Sequence, residues 1–101
     1  MREAYPYDYY VLKWINKEFQ LVQITTESSY SLNLAKLHIL ANFDFGDFDV
    51  PVLVDVRKKK YHYHYYHPVY KVWYKDLTDK QLALYFPFLM VDSKKSCSCR
   101  Q

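Results

Sequence analysis

Glycine is almost missing from this chain: 101 residues contain one, Gly46, where average usage would give about 7%. Loops that cradle phosphate groups need several glycines, so that the backbone can approach the phosphate closely. The scarcity of glycine therefore disfavours nucleotide hydrolysis and dinucleotide binding as functions.

Cysteines and long apolar runs are scarce as well. The two cysteines, Cys97 and Cys99, both lie in the last five residues, where they cannot staple a core, and this favours a reducing, cytoplasmic location. No run of about 18 apolar residues is present, so we expect no membrane span and no membrane partner. The charged and interrupted first residues do not resemble a signal peptide.

Aromatic side chains, in contrast, are abundant: 12 Tyr, 6 Phe and 2 Trp. Charge is uneven, because residues 1–50 carry a net −3 and residues 51–101 a net +6. This asymmetry predicts one acidic and one basic region. The length fits one domain, which we place at residues 1–92, followed by a flexible, basic, cysteine-containing tail at 93–101.

The first half predicts a hairpin and a helix. Residues 9–15 and 19–24 alternate around a turn at 16–17, which would place Trp14 opposite Phe19 and Leu12 opposite Leu21. Residues 25–29 are rich in helix-capping side chains, and apolar residues then recur at helical spacing as far as Asn42.

The second half predicts three strands and a short helix. Valines alternate strictly from 50 to 56, residues 61–66 and 69–74 favour strands, and Thr78 and Gln81 have the spacing of a capping box. Phe88 to Val91 should dock on the domain. The order ββ-α-βββ-α predicts a small α+β domain with an antiparallel sheet of about five strands and two helices packed on one face.

Candidate binding residues concentrate between positions 57 and 75. Strand alternation assigns the even-numbered residues from Lys60 to Tyr66 to one face and the odd-numbered ones from Tyr61 to Tyr65 to the other. Tyr, Trp and Arg dominate protein interfaces, whereas rings beside basic residues also suit single-stranded DNA or RNA. A third interpretation is a Tyr-rich sheet that covers a small core. The predicted binding residues here are Arg57, Lys58, Lys59, Lys60, Tyr61, Tyr63, Tyr65, Tyr66, Tyr70, Lys71 and Trp73.

An acidic loop follows the predicted long helix. It contains Asp44, Asp47 and Asp49 among three phenylalanines. Carboxylates and rings together could bind a basic surface or mimic an acidic one, so we include these three residues in the candidate binding site.

His62-Tyr63-His64 resembles the metal motif of the HUH family of rolling-circle and relaxase nucleases. The resemblance implies a metal-dependent single-strand endonuclease in which His62 and His64 hold a divalent metal. The family also has a Tyr nucleophile, commonly with Lys three residues later. In this chain Tyr10 and Lys13 have that spacing, but they precede the histidines and lie on a predicted strand.

A structural zinc site is disfavoured. Three histidines at 62, 64 and 67 and two cysteines at 97 and 99 do not have the pair spacings typical of such sites, so we expect no metal and no cofactor.

The favoured function is that of a small non-catalytic binding or inhibitor protein. We expect a viral, phage or mobile-element factor of the anti-defence (anti-CRISPR) type that acts on a host protein or nucleoprotein complex. The alternatives are a single-stranded nucleic-acid-binding protein that uses Arg57 to Lys60, and the HUH-type nuclease. A homodimer could form through a Tyr-rich edge strand.

Overall fold

The computed structural model describes residues 4–56 and 60–90. It contains β1 (Tyr5–Ile15), β2 (Glu18–Ser29), α1 (Leu32–Asn42), β3 (Val50–Asp55), β4 (His62–His67), β5 (Val72–Lys75), α2 (Asp79–Tyr85) and a 3₁₀ turn (Pro87–Met90). The strands form one antiparallel sheet in the order β2-β1-β3-β4-β5. This confirms the predicted α+β class, strand number and element order. The predicted basic run at 57–59 and the tail at 93–101 lie outside the described residues.

β3 is the central strand, and all six of its residues are buried. Val50, Val52 and Val54 pack with Leu82 and Phe86 of the α2 region. Leu53, which points to the other side of the pleat, packs with Ala35 and Ile39 of α1. The two helices therefore cover opposite faces of the sheet, rather than the one face that the sequence predicted.

The predicted hairpin register is confirmed, since Trp14 pairs with Phe19 and Leu12 with Leu21. Both turn residues, Asn16 and Lys17, have positive φ values of 54° and 64°, as a type I′ turn requires.

The hairpin strands are longer than predicted. Residues 25–29 pair with residues 5–9 as part of β2 and do not begin the helix. Helix α1 begins instead at Leu32, where the Ser31 Oγ accepts a hydrogen bond from the Leu34 N–H at 3.2 Å. These residues extend β2 because threonine is a strand former and β1 offers a partner strand.

The last strand is shorter than predicted. Residues 68–71 form a turn, and Lys71 at its end has a φ of 59°, so β5 begins only at Val72. The capping box is confirmed: Thr78 accepts from the Gln81 N–H, and the Gln81 side chain accepts from the Thr78 N–H. Phe88 and Leu89 of the 3₁₀ turn pack on the core, as expected.

Candidate binding surface

The aromatic segment from 61 to 75 is divided between the two sides of the sheet. Cross-strand pairs place His64 with Lys75 and Tyr66 with Trp73 on the side covered by α1. Tyr65 with Tyr74, and His67 with Val72, lie on the side covered by α2. The alternation that the sequence predicts is therefore present, but it separates the candidate residues into two surfaces.

Tyr65 belongs to the core. It is only 7% exposed, its ring lies 6.4 Å from that of Phe86, and burial raises its pKa to about 12. This placement removes Tyr65 from the candidate binding residues, because a buried ring cannot contact a partner.

The remaining candidate residues range from half-buried to exposed. Tyr63, Tyr66 and Trp73 are half-buried, and the rings of the last two are 5.1 Å apart. Lys60, Tyr61, Tyr70 and Lys71 are exposed. Arg57, Lys58 and Lys59 lie outside the described residues, so Lys60 represents the basic run in the structure.

The acidic loop lies beside the turn between β4 and β5. A cavity of about 370 Å³ is lined by the three aspartates together with Tyr66 and Lys71. Asp49 is anchored, because its carboxylate accepts from the Gly46 N–H at 2.7 Å and lies 3.5 Å from the Lys13 ammonium. Asp44 is exposed, as is Asp47. The fold thus brings the three acidic candidate residues together with one basic candidate, Lys71, at one corner.

A second cavity, of about 520 Å³, is an aromatic groove on the α2 side of the sheet. Tyr70 and Leu84, at 68% and 70% exposure, stand at its rim. The Tyr74 and Tyr85 rings stack in its wall with centroids 4.5 Å apart. The lining residues are His67, Val69, Tyr70, Tyr74, Leu84, Tyr85, Pro87 and Phe88.

Tyr70 was predictable from the sequence as a binding residue, but the groove was not. One available signal was the helical spacing of Leu82 and Phe86, which fixes the buried face of α2 and leaves Leu84 on the opposite face. The approach of α2 to the β4–β5 turn had no local signal, because it depends on contacts between distant parts of the chain.

Hydrogen bonds of His67 hold two walls of the groove together. Its Nδ1 accepts hydrogen bonds from the Val69 and Tyr70 N–H groups at 3.2 and 3.1 Å, and its Nε2 donates to the Tyr85 carbonyl at 2.9 Å. Because Nδ1 accepts twice, the proton lies on Nε2. One neutral imidazole therefore joins the turn that carries Tyr70 to the helix that carries Leu84.

His62 and His64, the pair that resembles the HUH motif, lie on the same side of the sheet but in different surroundings. His62 donates through Nδ1 to Asp76 at 2.9 Å. His64 is 6% exposed, and burial, together with nearby Lys36 and Lys75, lowers its pKa to about 4. Within residues 4–56 and 60–90, no group of three or more His, Cys, Asp or Glu side chains is placed to hold a metal ion. Tyr10 and Lys13 lie on β1 and not on a helix.

A basic and aromatic patch lies on the α1 side of β5. The Lys36 ammonium of α1 is 5.4 Å from the centroid of the Trp73 ring, a cation–π distance. Burial lowers the pKa of Lys36. Lys75 lies two residues after Trp73 on β5, and its side chain is on the same side of the sheet. Neither lysine makes an ion pair with a described residue.

No protein-family description matches this chain, and neither a curated protein nor a solved structure is significantly similar to it. Among the residues that the structure describes, no helix has both the length and the apolar character that crossing a bilayer demands.

Proposed function

We propose that this protein is a small non-catalytic binding protein that inhibits a larger protein by covering part of its surface through the aromatic groove. The observation that carries this proposal is the concentration of exposed large side chains around a preformed concavity, with Tyr70 and Leu84 at its rim. Contiguous exposed apolar surface of this kind marks interaction sites.

The groove has the properties of a binding hot spot. Tyrosine is enriched among the residues that dominate binding energy, because it offers a large area of contact with few rotatable bonds. The His67 hydrogen bonds and the Tyr74–Tyr85 stack hold the groove in place before a partner arrives. A preformed site reduces the entropy lost on binding.

The chemistry of the groove favours a protein partner over a nucleic acid. Among the described residues its walls contain tyrosines, aliphatic residues and one proline but no lysine or arginine, so they offer no cation for a phosphate group. Both nitrogens of His67 are engaged in structural hydrogen bonds, which leaves this imidazole no free atom for proton transfer to a substrate.

Affinity capture with matched variants tests the proposal. The tagged full chain should retain a stoichiometric protein from host lysate, also after nuclease treatment, and Tyr70→Ala and Leu84→Ala should each reduce its recovery about tenfold or more. Tyr30→Ala and Leu37→Ala are the controls, because Leu37 is 66% exposed on a helix as Leu84 is, and Tyr30 is also exposed. The controls should capture the partner fully.

Two results would contradict the proposal. One is full capture by both groove variants while circular dichroism shows that they are folded. The other is a captured material that disappears after nuclease treatment, which would favour the nucleic-acid alternative.

A further inference from the structure

The strand β5 forms one edge of the sheet. Among the described residues its strand neighbour is β4 alone, so the backbone groups on its other side are directed away from the sheet. Its four residues are bounded by Lys71 and Asp76, whose positive φ values of 59° and 52° end the strand at both sides. An edge of this kind can pair with an extended segment of another protein.

The two sides of this edge differ in chemistry. On the α2 side, Val72 and Tyr74 adjoin the aromatic groove. On the α1 side, Trp73 and Lys75 adjoin Lys36. One side of the edge is thus apolar, and the other carries two ammonium groups, neither of which forms an ion pair with a described residue, although Lys75 interacts electrostatically with the neighbouring Asp76.

We propose that the edge of β5 is the docking site for an extended partner segment whose side chains alternate between apolar and acidic. Successive side chains of an added strand point to opposite sides of the sheet. Apolar side chains would enter the aromatic groove beside Leu84, and carboxylates would reach Lys36 and Lys75. This inference rests on the proposed function and adds the chemical class of the partner.

A second copy of this chain fits the edge poorly. In a symmetric antiparallel pair of β5 strands the two-fold axis is perpendicular to the sheet, so residues opposite each other share a side. Pairing centred on Trp73 joins residues 72–74 of the two copies and brings Lys75 of each copy toward Lys71 of the other, which lies just past the end of the strand. Like charges that face each other across a strand pair destabilise it.

The next possible register, centred on Tyr74, places Val72 opposite Asp76. Asp76 has a left-handed backbone, its N–H donates to the Tyr63 carbonyl at 2.7 Å, and its carboxylate accepts from the Tyr63 N–H at 2.8 Å. These contacts hold Asp76 in a turn, so a partner with acidic side chains matches the edge better than a second copy.

Selection from a random peptide library displayed on phage, with the immobilised full chain as target, tests the proposal without assuming a sequence. Enriched peptides should alternate apolar residues with Asp or Glu. In fluorescence anisotropy, a synthetic version should bind about tenfold or more weakly to Leu84→Ala and to the double variant Lys36→Glu/Lys75→Glu. Lys17→Glu, at the distant hairpin turn, is the charge control and should bind normally.

Backbone pairing has its own signature. The alternate residues of the peptide form two sets. N-methylation of one set should abolish binding, and N-methylation of the other set should leave binding nearly intact, because only every second amide of an added strand faces β5. Replacement of its carboxylates by lysines should restore binding to Lys36→Glu/Lys75→Glu.

The outcomes separate this inference from the proposed function. Two results would overturn the acidic docking strand but leave the groove as a binding site. In the first, the enriched peptides lose affinity for Leu84→Ala but are basic. In the second, they bind equally well whichever set of alternate residues is N-methylated. Absence of enrichment, or a concentration-dependent dimer in sedimentation that Lys75→Glu strengthens, also overturns it. If peptides and captured partners bind Leu84→Ala as well as the wild type, both this inference and the proposed function are wrong.

Discussion

Two buried histidines, His64 and His67, lie three residues apart on β4 and on opposite sides of the sheet, and they serve different purposes. His67 is satisfied by three hydrogen bonds that hold the aromatic groove together. His64 is enclosed beside Leu53 and near two lysines, an environment that penalises its protonated form. The two residues therefore have different consequences for stability.

His64 should make folding sensitive to mild acid. Its pKa falls from the usual 6.5 to about 4 in the folded chain, so between these pH values the unfolded chain takes up a proton that the folded chain does not. The free energy of unfolding should therefore decrease as the pH drops from about 6.5 to about 4, by about 3 kcal/mol in total. Urea unfolding at several pH values measures this change.

The variant His64→Gln is the matched comparison, because it keeps a polar side chain but does not titrate. Its free energy of unfolding should lose most of the pH dependence between pH 4 and 6.5. If the wild type and His64→Gln lose stability in parallel over that range, His64 is not the source.

The alternation of residues 61–66 could be predicted at this scale, but their burial could not. His64 and Tyr65 lie on opposite sides of the sheet, as period-two patterning requires. A tyrosine gives the same pattern whether its ring faces water or protein. Tyr65 is buried because Phe86, far along the chain, packs against it.

Four of the described residues in the turns have a left-handed backbone, and none of them is the single glycine. They are Asn16, Lys17, Lys71 and Asp76. A residue with a Cβ atom loses about 1–2 kcal/mol in this conformation relative to the right-handed one. Because these turns contain no glycine, their left-handed residues destabilise the folded chain.

The hairpin turn offers a direct test of that cost. Lys17→Gly should increase the free energy of unfolding by about 1 kcal/mol, since Asn-Gly is the preferred pair of a type I′ turn. The control is Lys13→Gly on the neighbouring strand, which should decrease it by a similar amount or more, because this change also removes the exposed ion pair with Asp49. Thermal or urea unfolding measures both. An unchanged or less stable Lys17→Gly chain would contradict the role of turn strain.

Elements with a local signal were predicted well, and those decided by distant partners were not. Asn16-Lys17 and the Thr78–Gln81 capping box are local patterns, and both appear as expected. Residues 25–29 carry capping side chains, yet pairing with β1 makes them a strand. Leu53, between two valines that face α2, was the available sign that β3 is covered on both sides.

At the scale of the whole molecule, the charge asymmetry takes a specific form. The acidic loop of the first half and Lys71 of the second half line one cavity, so one basic residue of the second half lies beside the acidic loop. The charge pattern of the sequence predicted two charged regions, but only the sheet order brings Lys71 next to the loop. The remaining described basic patch, Lys36 with Lys75, lies beside the free edge of β5.

Amide hydrogen exchange should report the unequal protection across the sheet. β3 has a strand on each side and is buried on both faces, so the amides of Val52 to Val54 should exchange slowest, near the rate of global unfolding. β5 has one described neighbour, so alternate amides of residues 72–75 should exchange much faster than their neighbours. Exchange followed by NMR resolves single amides. Adding the selected acidic peptide should slow exchange of those alternate amides and leave that of the distant hairpin residues 16–20 unchanged. Uniformly slow exchange along β5 in the free chain would mean that this edge is already covered.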